Sequence, residues 1–337
     1  MCLSCLSVHR KPRQCFSLRC AIQLELFNKS KYRDGSAPGD DVPLVVPDVV
    51  YGVFDGATDP LGTVINGTAA GRLAAMTVAV EMATIARDPS RRRASGAEII
   101  AQLSSALKCC TDPLGLQVPP STTIAVALDC GETWRFLLLG DSGLRLNGTE
   151  VYHRHKTIDH VSTVARVALF NIFKSQNDDL DAVEAMSRRG IFLGLRTAVS
   201  EGVLSHSHAH EIIDDAIAAT KLQTEADTVK RFLMGGIQTQ FEFGNTSDSL
   251  LGFDTMNGTH ITGCELQDFE RSKTDVTHIE LYTDGYPSTP ADVSVAAWEA
   301  KFQAAERSDF HKIGQYSTVK GSTSTEFYDD RSILILS

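Results

Sequence analysis

The sequence predicts an α+β fold, and three observations carry this. Runs rich in β-branched and aromatic residues come in groups, and amphipathic stretches of helical period come in groups between them. The chain then closes on an apolar strand, residues 331–337. Strands in runs followed by helices in runs indicate segregated layers, not alternating βαβ units. No internal repeat, low-complexity tract or linker interrupts the pattern. A single domain over residues 21–337 is therefore expected, preceded by a basic extension, 1–20, expected to be poorly ordered.

Residues 21–27 alternate enough for a first strand, and 29–41 carry the Gly, Pro, Asp and Ser of a turn. Residues 46–54 read as one buried strand ending at Asp55-Gly56. A helix follows over 66–87, with Leu73, Met76, Val80 and Ala83 on one face, and a second over 97–109. Residues 121–130 and 133–141 read as a hairpin, and 144–153 continue the same meander through Asn147-Gly148. Residues 159–174 form a strongly amphipathic helix through Val161, Val164, Ala165, Ala168, Leu169, Ile172 and Phe173. Further helices are expected over 178–189, 209–233 and 292–307, and a strand over 278–285 ends in a second Asp-Gly.

Apolar residues make up 42% of the 337 and charged residues 22%, enough to bury a core. The formal charge of −10 argues against nucleic acid or an anionic membrane as partner. No apolar run reaches the roughly 20 residues of a membrane helix. The eight cysteines, with Cys109 and Cys110 adjacent, suggest no disulfide framework and point to a reducing, cytoplasmic compartment. Cys2, Cys5, Cys15 and Cys20 lack the closing spacing of a zinc finger.

The chemistry is suggested by acids placed where strands begin or stop: Asp40 and Asp41, Asp55, Asp284, and Asp329 with Asp330. One Asp-Gly marks a turn. Several short carboxylates beside buried β-structure suit hard cations such as Mg²⁺ or Mn²⁺. A pair of such ions about 4 Å apart can activate a water and clamp a phosphoryl group.

In order, "GDD" (39–41), "VYGVFDGATD" (50–59), "STTIAVAL" (121–128), "FLLLGDSGLRL" (136–146), "LYTDG" (281–285) and "DDRSILIL" (329–336) resemble the metal-dependent protein phosphatases of type 2C. The resemblance implies a four-layer sandwich, two central antiparallel sheets flanked by helix pairs. It also implies a cleft holding two Mn²⁺ or Mg²⁺ ions, with a third in some members. Carried over by position, Asp55 would bridge both metals and Gly56 would offer its carbonyl to one. Asp284 and Asp329 would bind the other, and Asp40 and Asp41 would act through metal-bound waters. Asp141 would join an additional metal, and Asp330 is the fallback for Asp329. The implied activity is hydrolysis of phosphoserine or phosphothreonine in a phosphoprotein by a monomeric enzyme. The alternative is a weakly active or inactive domain of the same fold that binds phosphoproteins or regulates a partner.

Three positions depart from that family. Ser36 stands where many members have a phosphate-holding Arg, leaving Lys29, Lys31 or Arg33 as substitutes. Ala57 stands where some have a general-acid His, leaving a metal-bound water or Asp59. Gly143 stands where an Arg often follows Gly-Asp-Ser.

The same Gly140-Asp141-Ser142-Gly143 matches the nucleophile signature of trypsin-like proteases. Here Leu144 and Arg145 follow instead of Gly-Pro, and no matching His segment exists. Ser142 is read as a turn residue and Asp141 as the functional one. His206, His208 and His210 are read as a surface loop, and residues 91–95 as a solvated turn. Residues 235–258, rich in Gly and Asn, are expected beside the cleft.

Overall fold

The computed structural model describes residues 22–263 and 265–337. The basic extension 1–20 and its cysteines lie outside them. Strands β1 (Leu24–Lys29), β2 (Val42–Val46) and β3 (Val50–Phe54) come first. The short hairpin β4 (Val64–Ile65) and β5 (Thr68–Ala69) leads into helices α1 (Ala70–Arg87), α2 (Pro89–Arg92) and α3 (Gly96–Thr111). Strands β6 (Ile124–Asp129), β7 (Thr133–Leu139), β8 (Gly143–Leu146) and β9 (Glu150–Tyr152) follow. Five helices come next: α4 (Thr157–Lys174), α5 (Leu180–Leu193), α6 (Leu195–Ser200), α7 (His206–Thr220) and α8 (Ala226–Gly235). The chain ends with β10 (Gln267–Ser272), β11 (Ile279–Tyr282), α9 (Val295–Ser308) and β12 (Arg331–Leu336).

Two five-stranded sheets result, in the orders β1-β12-β11-β8-β9 and β10-β7-β6-β3-β2. Every pairing is antiparallel. The central strands read as unbroken apolar runs because both of their faces are buried. In β3, Tyr51 and Val53 face the other sheet, while Val50 and Phe54 face α1 and α3. In β12, Leu334 and Leu336 face inward and Ile333 and Ile335 face α9. Beneath α9, Glu280 pairs with the unexposed Arg145 and accepts from Trp298 Nε1 at 2.7 Å. Helices α4–α8 pack on one another around a separate core that includes Phe170, Phe173 and Phe232. Among the described residues no helix is long and apolar enough to cross a membrane.

The α+β fold and its two sheets match the sequence reading; several details differ. The expected strand 46–54 is two strands, because Pro47 cannot donate to a ladder and Asp48 turns left-handed at φ 59°. Helix α1 buries Ala74, Ala75, Val78, Met82 and Ile85, not the expected face: Met76 and Val80 are exposed. Small alanines let the helix lie close to the sheet. The expected helix 209–233 breaks in two at Lys221, which is left-handed at φ 59°. His206, His208 and His210 lie in the first turns of α7, not in a loop, and helical spacing spreads them around the axis. In the 91–95 turn, Arg92 and Arg93 bond the carbonyls of Asp129 and Cys130, so it is less solvated than expected.

The most consequential difference concerns the meander. Strand β7 pairs with β6 and β10, whereas β8 pairs with β11 and β9. Residues 140–142 therefore carry the chain from one sheet to the other.

Candidate metal centre

Asp55 leaves β3 at the edge of the intersheet cleft, and its carbonyl accepts from Thr123 N at 2.9 Å and Thr122 Oγ1 at 2.8 Å. Gly56 meets Gly71 at the start of α1: a Cβ on Gly56 would lie 2.4 Å from the Gly71 carbonyl oxygen. The Asp-Gly here is thus a close backbone approach that fixes Asp55, and Gly56 lines the cavity beside it. Asp284 leaves β11. A Cβ on the next residue, Gly285, would strike the Asp330 carbonyl oxygen at 1.9 Å. Asp141 sits on the crossing between sheets, where Gly140 takes φ 87°.

These three strand ends bring one carboxylate oxygen each from Asp55, Asp141 and Asp284 within 4.8 Å of one another. They line a cavity of about 190 Å³. Burial, then the charges of Asp284, Asp41, Asp329 and Asp141, hold the Asp55 pKa well above the ordinary carboxylate range. Asp284 is open to the cavity, yet the protein packed around it and then the charges of Asp141 and Asp329 also raise its pKa above the ordinary carboxylate range. Asp141 is 6% exposed and its Oδ1 has no hydrogen-bond partner. A cluster of hard oxygen donors with a buried, unpartnered oxygen fits a divalent cation.

The remaining acids are arranged differently. Asp330 accepts from Lys31 N at 2.6 Å and Asp40 N at 3.0 Å, and Lys31 Nζ lies 3.4 Å away. Lys31 Nζ also lies 3.1 Å from Asp40 Oδ2. Asp329 Oδ1 pairs with Lys320 Nζ at 2.7 Å and accepts from Asp330 N at 3.0 Å. Asp41 is almost fully buried and accepts from Thr283 Oγ1 at 2.7 Å, with its Oδ1 unpartnered. Burial, then Asp330, push its pKa up to about 7. Asp329 lines the cavity but stands outside the three-carboxylate cluster, and Asp40 and Asp330 are tied to Lys31.

The expected phosphate-binding cations do not line the cavity. Lys31 is committed to acids, and Arg33 pairs with Glu306 at 2.8 Å, stacked over Phe327. Lys29 lies on β1, opposite Arg331. Asp59 caps its own turn, accepting from Leu61 N and Thr63 N, so it is not free as an acid. The lysines that line the cavity are Lys156 and Lys320. Lys156 Nζ lies 2.8 Å from Asp141 Oδ2. Burial works to lower its pKa, but Asp141 and Asp159 outweigh it and hold the ammonium firmly charged. Neither lysine belongs to a motif: one precedes α4 and the other sits in a Ser/Thr/Gly-rich loop. Ile237, Gln240, Phe241, Phe253, Thr255 and Asn257 complete the wall, as expected for residues 235–258.

Ser142 is 1% exposed and its hydroxyl lies 2.5 Å from that of Thr123. It is a buried tie between the sheets with no histidine partner, so the protease signature is incidental.

No family model matches the chain, and no curated protein sequence does. Among solved structures, it is similar to the Mycobacterium tuberculosis serine/threonine phosphatase PstP at 15% identity, covering 94% of this chain and 97% of that one, with a TM-score of 0.42. It is also similar to the Staphylococcus aureus serine/threonine phosphatase Stp1 at 11% identity, covering 94% of each chain, with a TM-score of 0.45. PppA of Pseudomonas aeruginosa is 14% identical, covering 94% of this chain and 97% of that one, with a TM-score of 0.43. At these scores the likeness carries nothing about activity; the chemistry is argued from the cavity.

Proposed function

We propose that this chain is a metal-dependent phosphatase hydrolysing phosphoserine or phosphothreonine in protein substrates. The observation that carries the reading is the convergence of Asp55, Asp141 and Asp284 within 4.8 Å in a cavity flanked by Lys156 and Lys320. Those three carboxylates would hold Mn²⁺ or Mg²⁺, with the Gly56 carbonyl beside them. A divalent ion there supplies Lewis-acid polarisation of a phosphoryl oxygen and lowers the pKa of a water.

The chain's own residues do the rest. Lys156 and Lys320 line the cavity and would offer ammonium donors to a phosphate dianion, whereas Lys29, Lys31 and Arg33 do not line it. Thr58 also lines the cavity, and Phe192, Phe241, Phe253 and Val319 give it apolar wall, which strengthens charge interactions beside it. No side chain in the cluster is a free nucleophile, so no phosphoenzyme is expected.

The second reading, a phosphoprotein-binding domain with little catalysis, is favoured by one observation. At the two positions where the resemblance points to a general acid, Ala57 has no ionisable side chain and Asp59 is a turn cap.

Hydrolysis of an aryl phosphate with Mn²⁺ tests both. The expected result is activity lost in EDTA and reduced at least about 100-fold in Asp55→Asn and Asp284→Asn. Activity surviving both EDTA and Asp55→Asn sinks the metal mechanism. Binding of phosphopeptide without turnover favours the second reading.

A further inference from the structure

We propose that the cage holds a single divalent cation, at Asp55, Asp141 and Asp284, and that the ammonium groups of Lys31 and Lys320 stand in for a second cation beside Asp40, Asp329 and Asp330. The proposal departs from the pair of ions that the sequence leads one to expect. It rests on the metal-dependent reading only for the existence of the cation site.

The two sides of the cavity differ in what neutralises them. On the first side three carboxylate oxygens face one another and share one lysine, Lys156, 2.8 Å from Asp141 Oδ2, while the other Asp141 oxygen stays buried and bare. On the second side Asp40, Asp329 and Asp330 each already have a cation, and only the neighbouring Asp41, held by the Thr283 hydroxyl, has none. Lys31 Nζ sits 3.1 Å from Asp40 and 3.4 Å from Asp330, and Lys320 Nζ sits 2.7 Å from Asp329. Both ammoniums also reach one hydroxyl, Thr58 Oγ1, at 3.1 Å and 3.5 Å. Two positive charges converging on one neutral oxygen leave a divalent ion strong like-charge repulsion there. Both oxygens of Asp330 are engaged: Oδ1 takes Lys31 N, and Oδ2 takes Asp40 N and Lys31 Nζ. It is also wedged against the chain, since a Cβ on Gly39 would lie 2.3 Å from its Oδ1.

Neither lysine is a loose surface chain free to swing away. Lys31 is 8% exposed, its N–H is held by Asp330 and its carbonyl by Phe327 N. Lys320 lies in a short loop held from the helical cluster. Arg166 Nε donates to the Thr318 carbonyl at 2.8 Å, Arg188 Nη2 donates to the Gly321 carbonyl at 2.9 Å, and Gly321 N donates to Glu184 at 2.5 Å. A buried ion pair between Arg166 and Glu184, neither of them exposed, anchors that clamp. The helices outside the sandwich thus deliver a fixed positive charge to Asp329.

The test counts ions without substrate. Mn²⁺ is titrated into the full chain, and bound ion is measured by electron paramagnetic resonance and calorimetry. One ion per chain is expected. It should be lost in Asp141→Asn combined with Asp284→Asn, and kept in Asp41→Asn and Asp329→Asn. Lys320→Gln, which frees Asp329, should admit a second ion; the Lys31→Gln, Lys320→Gln double variant should bind it at least tenfold tighter. Two ions of similar affinity in the unaltered chain overturn the proposal. So does a stoichiometry still at one in folded Lys320→Gln and in the double variant. No bound Mn²⁺ overturns this proposal and the metal-dependent reading together. One bound ion with no hydrolysis of any phosphoester bears the proposal out and overturns only the phosphatase reading.

Discussion

Glu184→Ala should be among the most damaging single changes outside the cleft. Glu184 sits on α5 with no solvent exposure and accepts from Arg166 Nη1 and from Gly321 N, each at 2.5 Å. Burial pushes its pKa up against the pull of Arg166, and burial also lowers that of Arg166. Each charge is therefore tolerated only because the other is present. Removing the carboxylate strands a guanidinium with no water to reach it, and one-sided loss of a buried pair costs about 3–5 kcal/mol. The orphaned Gly321 N–H belongs to the same interaction, so its cost is not added in full. We expect a loss of about 4 kcal/mol. Against a total stability of about 5–15 kcal/mol for a typical domain, that is a large fraction. Urea unfolding followed by fluorescence of the two buried tryptophans, Trp134 and Trp298, reads it as a lower midpoint at unchanged slope. The double variant Arg166→Met, Glu184→Leu should lose less than Glu184→Ala, since no charge is stranded. A loss under about 1 kcal/mol for Glu184→Ala, or a double variant worse than the single, would refute this account of the clamp.

Three further outcomes are expected. Ser142→Ala removes the hydroxyl paired with Thr123; it should cost about 1–2 kcal/mol in the same unfolding assay and leave most phosphate hydrolysis, whereas hydrolysis abolished with Mn²⁺ binding unchanged would revive a nucleophilic serine. Gly56→Ala forces a Cβ to 2.4 Å from the Gly71 carbonyl, and should lower the unfolding midpoint and metal affinity together; an unchanged midpoint would refute the close-approach argument. Asp41, Asp55 and Asp284 have raised pKa values in the folded chain, Asp41 to about 7. Folded protein then holds protons that unfolded chain has released between about pH 4 and 7, so these groups make metal-free stability fall as pH rises through that window. Thermal unfolding in EDTA should show that fall, and added Mn²⁺ should raise Tm more at pH 8 than at pH 5.

The legible parts of the site were those written as strand ends. Asp55 and Asp284 follow apolar strands directly, and a strand terminus fixes a short side chain in space. The central strands were legible because strands buried on both faces lose their polar alternation, as in residues 124–128, while the sandwich came from the resemblance. The face of α1 was misread because alanines, not its larger residues, make the contact with the sheet. Lys156 and Lys320 were missed because their position depends on loops brought in from the helical cluster and from the segment before β12. Lys31 was noticed for its charge, but its partners are Asp330, far away in sequence, and Asp40. No local pattern encodes such pairings.

The crossing at Gly140-Asp141-Ser142 ties the fold to the site. Had β7 and β8 been neighbours in one sheet, Asp141 would lie in a hairpin turn at a sheet edge. Because β7 ends in one sheet and β8 begins in the other, the residues between them must span the intersheet gap at the cleft. Gly140 takes the positive φ that this requires, and a Cβ there would meet Thr123 Cγ2 at 2.7 Å. Ser142 then pins the crossing to Thr123, next to the Thr122 and Thr123 contacts that hold the Asp55 carbonyl. The same two threonines thus couple the Asp55 backbone on one sheet to the crossing that carries Asp141, through two hydroxyl contacts and one backbone hydrogen bond. Arg145 continues the constraint into the other layer, where it is buried against Glu280 beneath α9. Gly140, Asp141 and Ser142, three residues of the segment that resembles a protease signature, are accounted for by the need to carry one carboxylate across the sandwich and hold it there.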